Sequence, residues 1–470
     1  MESIIIVVFV LGYLAITLEH NLKLDKLIPA LAMMAICWAI VALGVDSFSQ
    51  WFDSAKPAGQ QLLEGEWLAL DHAGKTHLME ETLLHHLGKT AEILVFLLGA
   101  MTIVEIIDYF NGFATIKTYV KTNSKKKILW IFSILAFILS AIIDNLTATI
   151  VLISILQKIV KTREDRIWFA GLIIIAANAG GAFSPIGDVT TTMLWIANKV
   201  STGNLFLYLF IPSLLCMVVP TLIATFLPAF KGEIESDDQD DIKPGKYSAI
   251  MLYLGLAAIV FVPIFKTVTH LPPYVGMMLS LAIVATFAEI FSRTKFSLTD
   301  FTTKDDHEEF SSHHHSPVHS SLSKIEMPSI LFFLGILMAV AALESLGILF
   351  NFADSLKEGV PLMTTELANT QVSDLVVILL GVGSAVIDNV PLVAASLGMF
   401  TEGPDNPLWH FIAFSAGTGG SMLIIGSAAG VVAMGMEKID FFWYLKKIAW
   451  LALVGFLVGC ASFMVLRMFL

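Results

Sequence analysis

Two aspartate–asparagine pairs interrupt sequence that is otherwise apolar. Residues 141–145 read AIIDN and residues 385–389 read AVIDN, which places Asp144 and Asp388 in equivalent surroundings. A carboxylate inside a membrane-length apolar segment is costly, and such a residue usually lies on the path of an ion or a proton. The two acids therefore predict a cation site in which Asp144 and Asp388 bind sodium. The alternative is that each aspartate only caps a helix.

Further oxygen atoms lie beside these aspartates or in two polar segments that follow them. Sodium is a hard ion, and hard ions take oxygen ligands. Asp188 either belongs to the site or caps a half-helix that starts near Thr190, and the asparagines either bind the ion or support turns. The other predicted cation- and proton-binding residues are Asn145, Thr147, Asn178, Ser184, Asp188, Thr190, Thr191, Asn389 and Ser427, with Thr149 as one more oxygen donor.

Three more acids are candidates for a proton relay. Glu105 and Asp108 are three residues apart, so a helix would present both on one face. Glu344 occupies the position equivalent to Asp108 in a later, similar segment. A solvated pair at the membrane surface is the equal alternative.

The composition is that of a membrane protein. Of 470 residues, 56% are hydrophobic and 14% are charged, whereas a soluble domain carries about 25% charged residues. The net charge of -12 argues against binding to nucleic acid. The three cysteines stand far apart in apolar sequence, which predicts packing roles. No cofactor and no enzyme activity are predicted, and residues 4–18 are expected to be a retained span and not a cleaved signal peptide.

The apolar stretches predict the elements that position these residues. Eight have the length of ordinary spans, which need roughly 20 residues. Residues 128–160 are too long for one crossing and too short for two, and basic loops stand at both ends, at 117–127 and 161–166. Since basic residues concentrate in cytoplasmic loops, this stretch is expected to be a re-entrant hairpin with Asp144 and Asn145 at its tip. The twelve stretches are 4–18, 27–44, 90–110, 128–160, 167–198, 205–230, 247–265, 274–291, 328–347, 372–400, 409–436 and 448–466.

The stretch 167–198 carries helix-breaking residues at its centre. Gly180, Gly181, Pro185 and Gly187 fall within eight residues of one another. They predict a broken helix, the transporter element whose unwound backbone holds substrate or coupling ions.

The second half of the chain repeats this order. FLLG at 96–99 recurs as FFLG at 332–335, and the spacing Gly-Gly-x4-Ile-Gly at 180–187 recurs at 419–426. With the AIIDN and AVIDN segments, three pairs lie 236 to 244 residues apart in the same order. We therefore expect an all-α polytopic protein of two inverted repeats, 1–230 and 247–470, joined by an acidic cytoplasmic linker at 231–246. The second hairpin is 372–400 and the second broken helix is 409–436, which gives about ten crossings, two hairpins and an outside N-terminus.

Four segments resemble the NhaD-type sodium:proton antiporters of the ion transporter superfamily. They are FLLGAMTIVEIIDYFNGF at 96–113, AIIDNLTATIV at 141–151, NAGGAFSPIGDVTTTMLW at 178–195 and AVIDNVPLVAA at 385–395. The resemblance implies a scaffold domain, a mobile transport domain that moves in an elevator-like manner, a homodimer, and residence in a bacterial inner membrane. Sodium, with lithium left open, would exchange for protons by competition at the buried aspartates.

Two other functions remain as alternatives. The same fold could carry arsenite or a dicarboxylate anion, against which the acids at the hairpin tips argue. An intramembrane hydrolase would need a nucleophile with a base, and none is evident. The loop 307–319 holds five histidines, which could sense pH or bind a metal, although a solvated loop is the simpler interpretation.

Overall fold

The protein is described here by a computed structural model. The structure describes residues 1–17, 22–52, 62–63, 65–117, 122–234, 245–296, 316–325, 327–349, 351–352, 355, 372–386 and 389–470. Asp388, residues 235–244 of the acidic linker and residues 307–315 of the histidine-rich loop lie outside the described residues. The described chain is mostly helical, as predicted.

The helices of the first half follow the predicted stretches closely. Its elements are α1 (Glu2–Thr17), α2 (Leu27–Leu43), β1 (Trp51–Phe52), β2 (Leu62–Leu63), α3 (Gly65–Ala69), α4 (His72–Tyr109), α5 (Ala114–Lys117), α6 (Lys125–Ile143), α7 (Asn145–Ile159), α8 (Arg163–Ala182), α9 (Val189–Ile196) and α10 (Thr202–Thr225). The strands β1 and β2 pair antiparallel.

The second half has the same order of long and interrupted helices. Its elements are α11 (Ser248–Thr269), α12 (Pro273–Phe296), α13 (Pro317–Leu322), α14 (Met327–Ser345), α15 (Asp374–Gly383), α16 (Asn389–Met399), α17 (Pro407–Gly419), α18 (Ala428–Glu437), α19 (Phe441–Lys447) and α20 (Ala449–Leu466).

Seven of the described helices are long and apolar enough to cross a membrane, and six shorter ones are also apolar. A helix satisfies all its internal backbone groups within one segment, which is why it can stand in lipid. These helices make the chain a multi-pass membrane protein. All three cysteines are buried and free, in agreement with their predicted packing roles.

The segment 45–89 lies between the predicted apolar stretches 27–44 and 90–110 and would on that ground be a long loop, but it is partly helical. The helix α4 begins at His72, well before the predicted apolar stretch at residue 90. Asp71 caps it by accepting a hydrogen bond from the Gly74 amide at 2.8 Å. The expectation was wrong because hydropathy marks where a helix enters lipid and does not mark where the helix itself begins.

Both predicted interruptions in the first half are present. Asp144 separates α6 from α7 and adopts φ 87° and ψ 157°, a left-handed backbone conformation that is costly for a residue with a side chain. The two helices pack against each other, as the arms of a hairpin do. The unwound segment 183–188 separates α8 from α9.

The interruptions are held by close backbone contacts that recur in the second half. A side-chain carbon on Gly180 would lie 2.1 Å from the Phe137 carbonyl oxygen, and one on Gly419 would lie 2.0 Å from that of Gly381. These are equivalent positions in the two halves. The equivalent hydroxyls also make equivalent bonds, since Ser140 donates to the Ala177 carbonyl at 2.6 Å and Ser384 to that of Ala416 at 3.0 Å.

Substitution of either close-contact glycine should therefore destabilise the fold. Gly180→Ala and Gly419→Ala each force a methyl group onto a backbone carbonyl, and we expect each to lower the free energy of unfolding by about 3 kcal/mol. Gly203→Ala is the matched control because that helical glycine has nothing within 4 Å of the added carbon. Thermal unfolding of the purified protein in detergent measures all three. Equal melting temperatures for the three variants would contradict the close-contact argument.

Candidate cation site

Asp188 lies at the centre of a buried polar network. Its Oδ2 atom accepts hydrogen bonds from Asn145 Nδ2 at 3.2 Å and from Asn389 Nδ2 at 3.1 Å. Its Oδ1 atom accepts from the Thr190 amide at 3.4 Å, so the same carboxylate also caps α9. Asp188 is 2% exposed. The predicted cap is therefore present, and the role of Asp188 in a cation site stays a prediction.

The network continues from Asp188 to the second broken helix. Asn178 Oδ1 accepts from Asn145 Nδ2 at 3.0 Å, and Asn178 Nδ2 donates to Ser427 Oγ at 3.0 Å. Ser427 Oγ also accepts from the Gly430 amide at 3.2 Å and thereby caps α18. Asp188 is thus linked to side chains at the starts of α7 and α16, within α8, and immediately before α18. The amides that were predicted either to bind ions or to support turns do connect these elements.

Asp144 stands at the first hairpin tip, half-buried. Its carboxylate accepts from the Thr147 amide and from the Thr147 hydroxyl, each at 2.8 Å. The aspartate therefore caps α7, and the residue also lines the cavity described next. Asp388, its predicted partner, is outside the described residues.

A cavity of about 70 Å³ lies where the two hairpin tips meet the first broken helix. Five of the predicted site residues line it: Asp144, Asn145, Thr147, Asp188 and Asn389. The volume suits one or two small ions or waters. The structure therefore brings the predicted core of the site together.

The remaining predicted residues have other surroundings. Asn178 and Ser427 join the network without lining the cavity. The Thr191 hydroxyl donates to the Asp188 carbonyl at 2.9 Å, and Ser184 Oγ accepts from the Ile186 amide at 3.4 Å, so both stabilise the unwound turn. The Thr190 hydroxyl is buried without a hydrogen-bond partner within the described part of the chain.

Three polar residues of the cavity wall were missed from sequence, namely Thr192, Lys26 and Ser329. Thr192 lines it and donates its hydroxyl to the Pro185 carbonyl at 2.9 Å. Lys26 also lines it, from the residue immediately before α2. The sequence signal for Lys26 was weak because the residue stands at the edge of a span, where a lysine is ordinary.

A larger cavity of about 350 Å³ adjoins the central one. Both are lined by Met101, Leu146 and Thr147. The half-buried Glu105 and the exposed Asp108 stand on its α4 wall, as their predicted common helix face requires. The central cavity therefore has a polar approach on the side predicted to face the cytoplasm.

A third cavity of about 250 Å³ contains the half-buried Glu344. Among its described lining residues, none also lines the central cavity. Lys199 lies in the wall, outside the spans, and burial lowers its pKa although Glu402 and Glu344 act in the opposite direction. Glu344 thus lines a different cavity from Glu105 and Asp108, and the proton-relay role of all three stays a prediction.

One ion pair and one hydrogen bond to the backbone join the broken helices of the two halves. Arg166 Nε lies 2.9 Å from Glu437 Oε2, and Glu437 is 2% exposed. Arg163 Nη2 donates to the Lys438 carbonyl at 2.6 Å. Loss of one partner of a buried pair is strongly destabilising, so this ion pair holds α8 against the end of α18.

Comparison with known proteins gives consistent relatives. The profile of the citrate transporter family, CitMHS, matches residues 4–410. Sodium/proton antiporter 1 of Arabidopsis thaliana is 39% identical over 97% of this chain and 71% of its own length. Sodium/proton antiporter 2 of the same plant is 36% identical over 98% of this chain and 99% of its own length. The Na(+)/H(+) antiporter NhaD of Vibrio parahaemolyticus is 34% identical over 81% of this chain and 92% of its own length.

The network predicts that a bound cation stabilises the folded protein through Asp188. A ligand that binds only the folded state at 100 times its Kd stabilises it by about 2.7 kcal/mol. Sodium chloride should therefore raise the Tm of the purified protein at alkaline pH above its value in equal choline chloride. Asp188→Asn should remove this difference.

The matched control is Asp165→Asn. Asp165 pairs with Lys125 at 2.7 Å and lines none of the three cavities, so its variant should keep the sodium-dependent rise in Tm. A full sodium effect in Asp188→Asn would remove that residue from the site.

Proposed function

We propose that this chain, which belongs to the citrate transporter (CitMHS) family and, by its relatives, to the NhaD-type sodium:proton antiporters, exchanges sodium ions for protons across a membrane. The observation that carries the proposal is the buried carboxylate of Asp188. It accepts hydrogen bonds from the side-chain amides of Asn145 and Asn389, and Asp188 and Asp144 line the same small cavity. The relatives named above are sodium/proton antiporters by name, and the chain spans more than two thirds of each of them.

The same site argues against a citrate, dicarboxylate or arsenite carrier. A carrier of anions would direct the positive N-terminal ends of its half-helices at the substrate. Here the N-terminus of α9 is already capped by the carboxylate of Asp188. The described acids of the cavity, Asp144 and Asp188, would repel an anion, and only one described basic residue, Lys26, lines the wall with them.

Exchange follows from competition for the same oxygen atoms. A sodium ion held by Asp144 and Asp188 needs their charged oxygens, and a proton bound to either carboxylate removes that charge. Asn145, Thr147 and Asn389 can orient these carboxylates. Asp388 would complete the set from the second tip. If the protein changes conformation only when sodium or a proton is bound, sodium is exchanged for protons.

The movement we propose is elevator-like, with two inverted repeats at 1–230 and 247–470. The recurring glycine and serine contacts support the repeat. The 350 Å³ and 250 Å³ cavities support the repeat too, because equivalent residues of α4 and α14 line them. In the first cavity these are Met101, Val104 and Asp108, and in the second they are Leu337, Val340 and Glu344. In this proposal the hairpins and broken helices move against a scaffold of α1, α2, α4, α11, α12 and α14.

The present arrangement would be the inward-open state. The central cavity shares wall residues with the 350 Å³ cavity and none of those described with the 250 Å³ cavity. Lys266 of the scaffold helix α11 donates to the Trp195 carbonyl of α9 at 2.7 Å, a contact that the movement would have to break. Glu105 and Asp108 would guide protons on one side and Glu344 on the other.

Several features remain predictions. These are an N-terminus outside the membrane, a homodimer, transport of lithium in place of sodium, and residence in a bacterial inner membrane. The named relatives come from a plant and from bacteria, so they leave the compartment open.

Loss of a site carboxylate should abolish exchange without preventing insertion. Asp144→Asn, Asp188→Asn and Asp388→Asn keep the side-chain shape and remove the charge that holds sodium. The measurement is sodium-induced proton efflux from acid-loaded vesicles that contain only this protein. Asp165→Asn should transport at the wild-type rate. Near-normal flux in a well-inserted variant would exclude that aspartate.

Sodium and protons should compete. As the pH falls, the apparent KM for sodium should rise, by up to about tenfold per pH unit if one proton excludes one ion, while the maximal rate stays nearly constant. A separate proton path through Glu105 and Asp108 would instead lower the maximal rate at constant KM. Initial rates over a sodium series at several pH values distinguish these patterns.

A further inference from the structure

The central cavity contains a lysine that the proposed exchange does not use. Lys26 lines the 70 Å³ cavity together with Asp144 and Asp188, and these three are its described charged wall residues. The side chain is half-buried, and its Nζ atom lies 4.6 Å from the centroid of the buried Phe332 ring. The ammonium group is thus held beside apolar α14 residues at the wall of a site for cations.

We propose that Lys26 is a specificity-determining residue that makes the aspartate site selective for monovalent over divalent cations, an inference that rests on the proposed function. A site with two or three carboxylates and oxygen-rich neighbours would otherwise suit calcium, which takes carboxylate and carbonyl oxygens in flexible geometry. A fixed positive charge at the wall repels every entering cation, and it repels a divalent ion twice as strongly as a monovalent one. The lysine thereby lowers calcium affinity more than sodium affinity.

The surroundings fix which groups oppose or assist this charge. Asp25, the neighbouring acid, caps the start of α2 by accepting from the Leu27 amide at 2.9 Å and is exposed. Glu105, Asp108, Lys158 and Lys324 belong to the adjoining cavity. Lys26 is therefore the described cation at the central cavity itself, and Lys324 offers a lysine of the adjoining cavity for comparison.

Removal of the charge should change the affinities by a predictable ratio. Because the electrostatic energy is proportional to the charge of the ion, the fold-gain in calcium affinity of Lys26→Met should be about the square of its fold-gain in sodium affinity. Lys26→Gln should behave in the same way. Lys26→Arg, which keeps the charge, should resemble the wild type, and so should Lys324→Met.

The experiment measures both ions on the purified full chain at one alkaline pH. Binding of radioactive sodium gives the sodium affinity, and its displacement by calcium chloride gives the calcium affinity, for the wild type and the four variants. Calcium should displace sodium far more effectively from Lys26→Met and Lys26→Gln than from the other proteins. Sodium-dependent proton flux in the presence of calcium should then be inhibited in these two variants only.

The outcomes separate the two levels of the proposal. Unchanged calcium displacement in folded Lys26→Met and Lys26→Gln, or equal fold-changes for both ions, would overturn the role of Lys26. An equal change in calcium displacement in Lys324→Met would also overturn it, since the effect would then come from the overall electrostatic potential of the protein. A wild type that neither binds nor transports sodium would instead refute the proposed function.

Discussion

The hydrogen bonds that converge on Asp188 are the constraint on which the other features of the site depend. A carboxylate that is 2% exposed must have partners, because an unpaired buried charge is very costly. Its partners include the side-chain amides of Asn145 and Asn389 and the backbone N–H of Thr190 at the start of α9. Each of these donors would lose its bond to the carboxylate if Asp188 moved away. The unwound backbone, the two tips and the acid are therefore stable together and would be unstable apart.

Close packing allows this convergence. The hairpins can approach the broken helices only where no side chain intervenes, and the glycines at 180 and 419 leave that room against the carbonyls of Phe137 and Gly381. Ser140 and Ser384 then anchor the approach by donating to carbonyls of α8 and α17. The same steric solution at equivalent positions in both halves agrees with the proposed repeat. The ion pair of Arg166 with Glu437 adds a bond between the halves at the membrane edge.

The halves nevertheless differ in charge. The first broken helix is capped by an acid, Asp188, and the second by a hydroxyl, Ser427. Asn178 connects the two caps through Ser427 and Asn145. Among the described residues, the caps of the two broken helices therefore differ in charge. One buried carboxylate can be satisfied by the amides available, whereas a second at the position of Ser427 would add repulsion without adding donors.

The sequence by itself determined the class of the protein, its interrupted helices and most of the central residues. Apolar length and helix-breaking glycines are local properties, so the ends of α2, α10 and α20 lie close to the predicted limits. The aspartate–asparagine pairs were recognised because polar groups in such segments are costly and need a purpose. The start of α4 at His72 was missed, since helix formation outside lipid leaves no hydropathy signal.

Only the tertiary structure decided which polar groups contact one another and which residue accepts their hydrogen bonds. The sequence treated Asp144 and Asp388 as the symmetric pair and left Asp188 between two roles, whereas the folded chain makes Asp188 the shared acceptor of both tips. It also separated Glu344 from Glu105 and placed Lys26 at the cavity wall. These outcomes depend on distances between segments far apart in the chain. Such distances follow from helix packing in three dimensions, and no local pattern of residues records them.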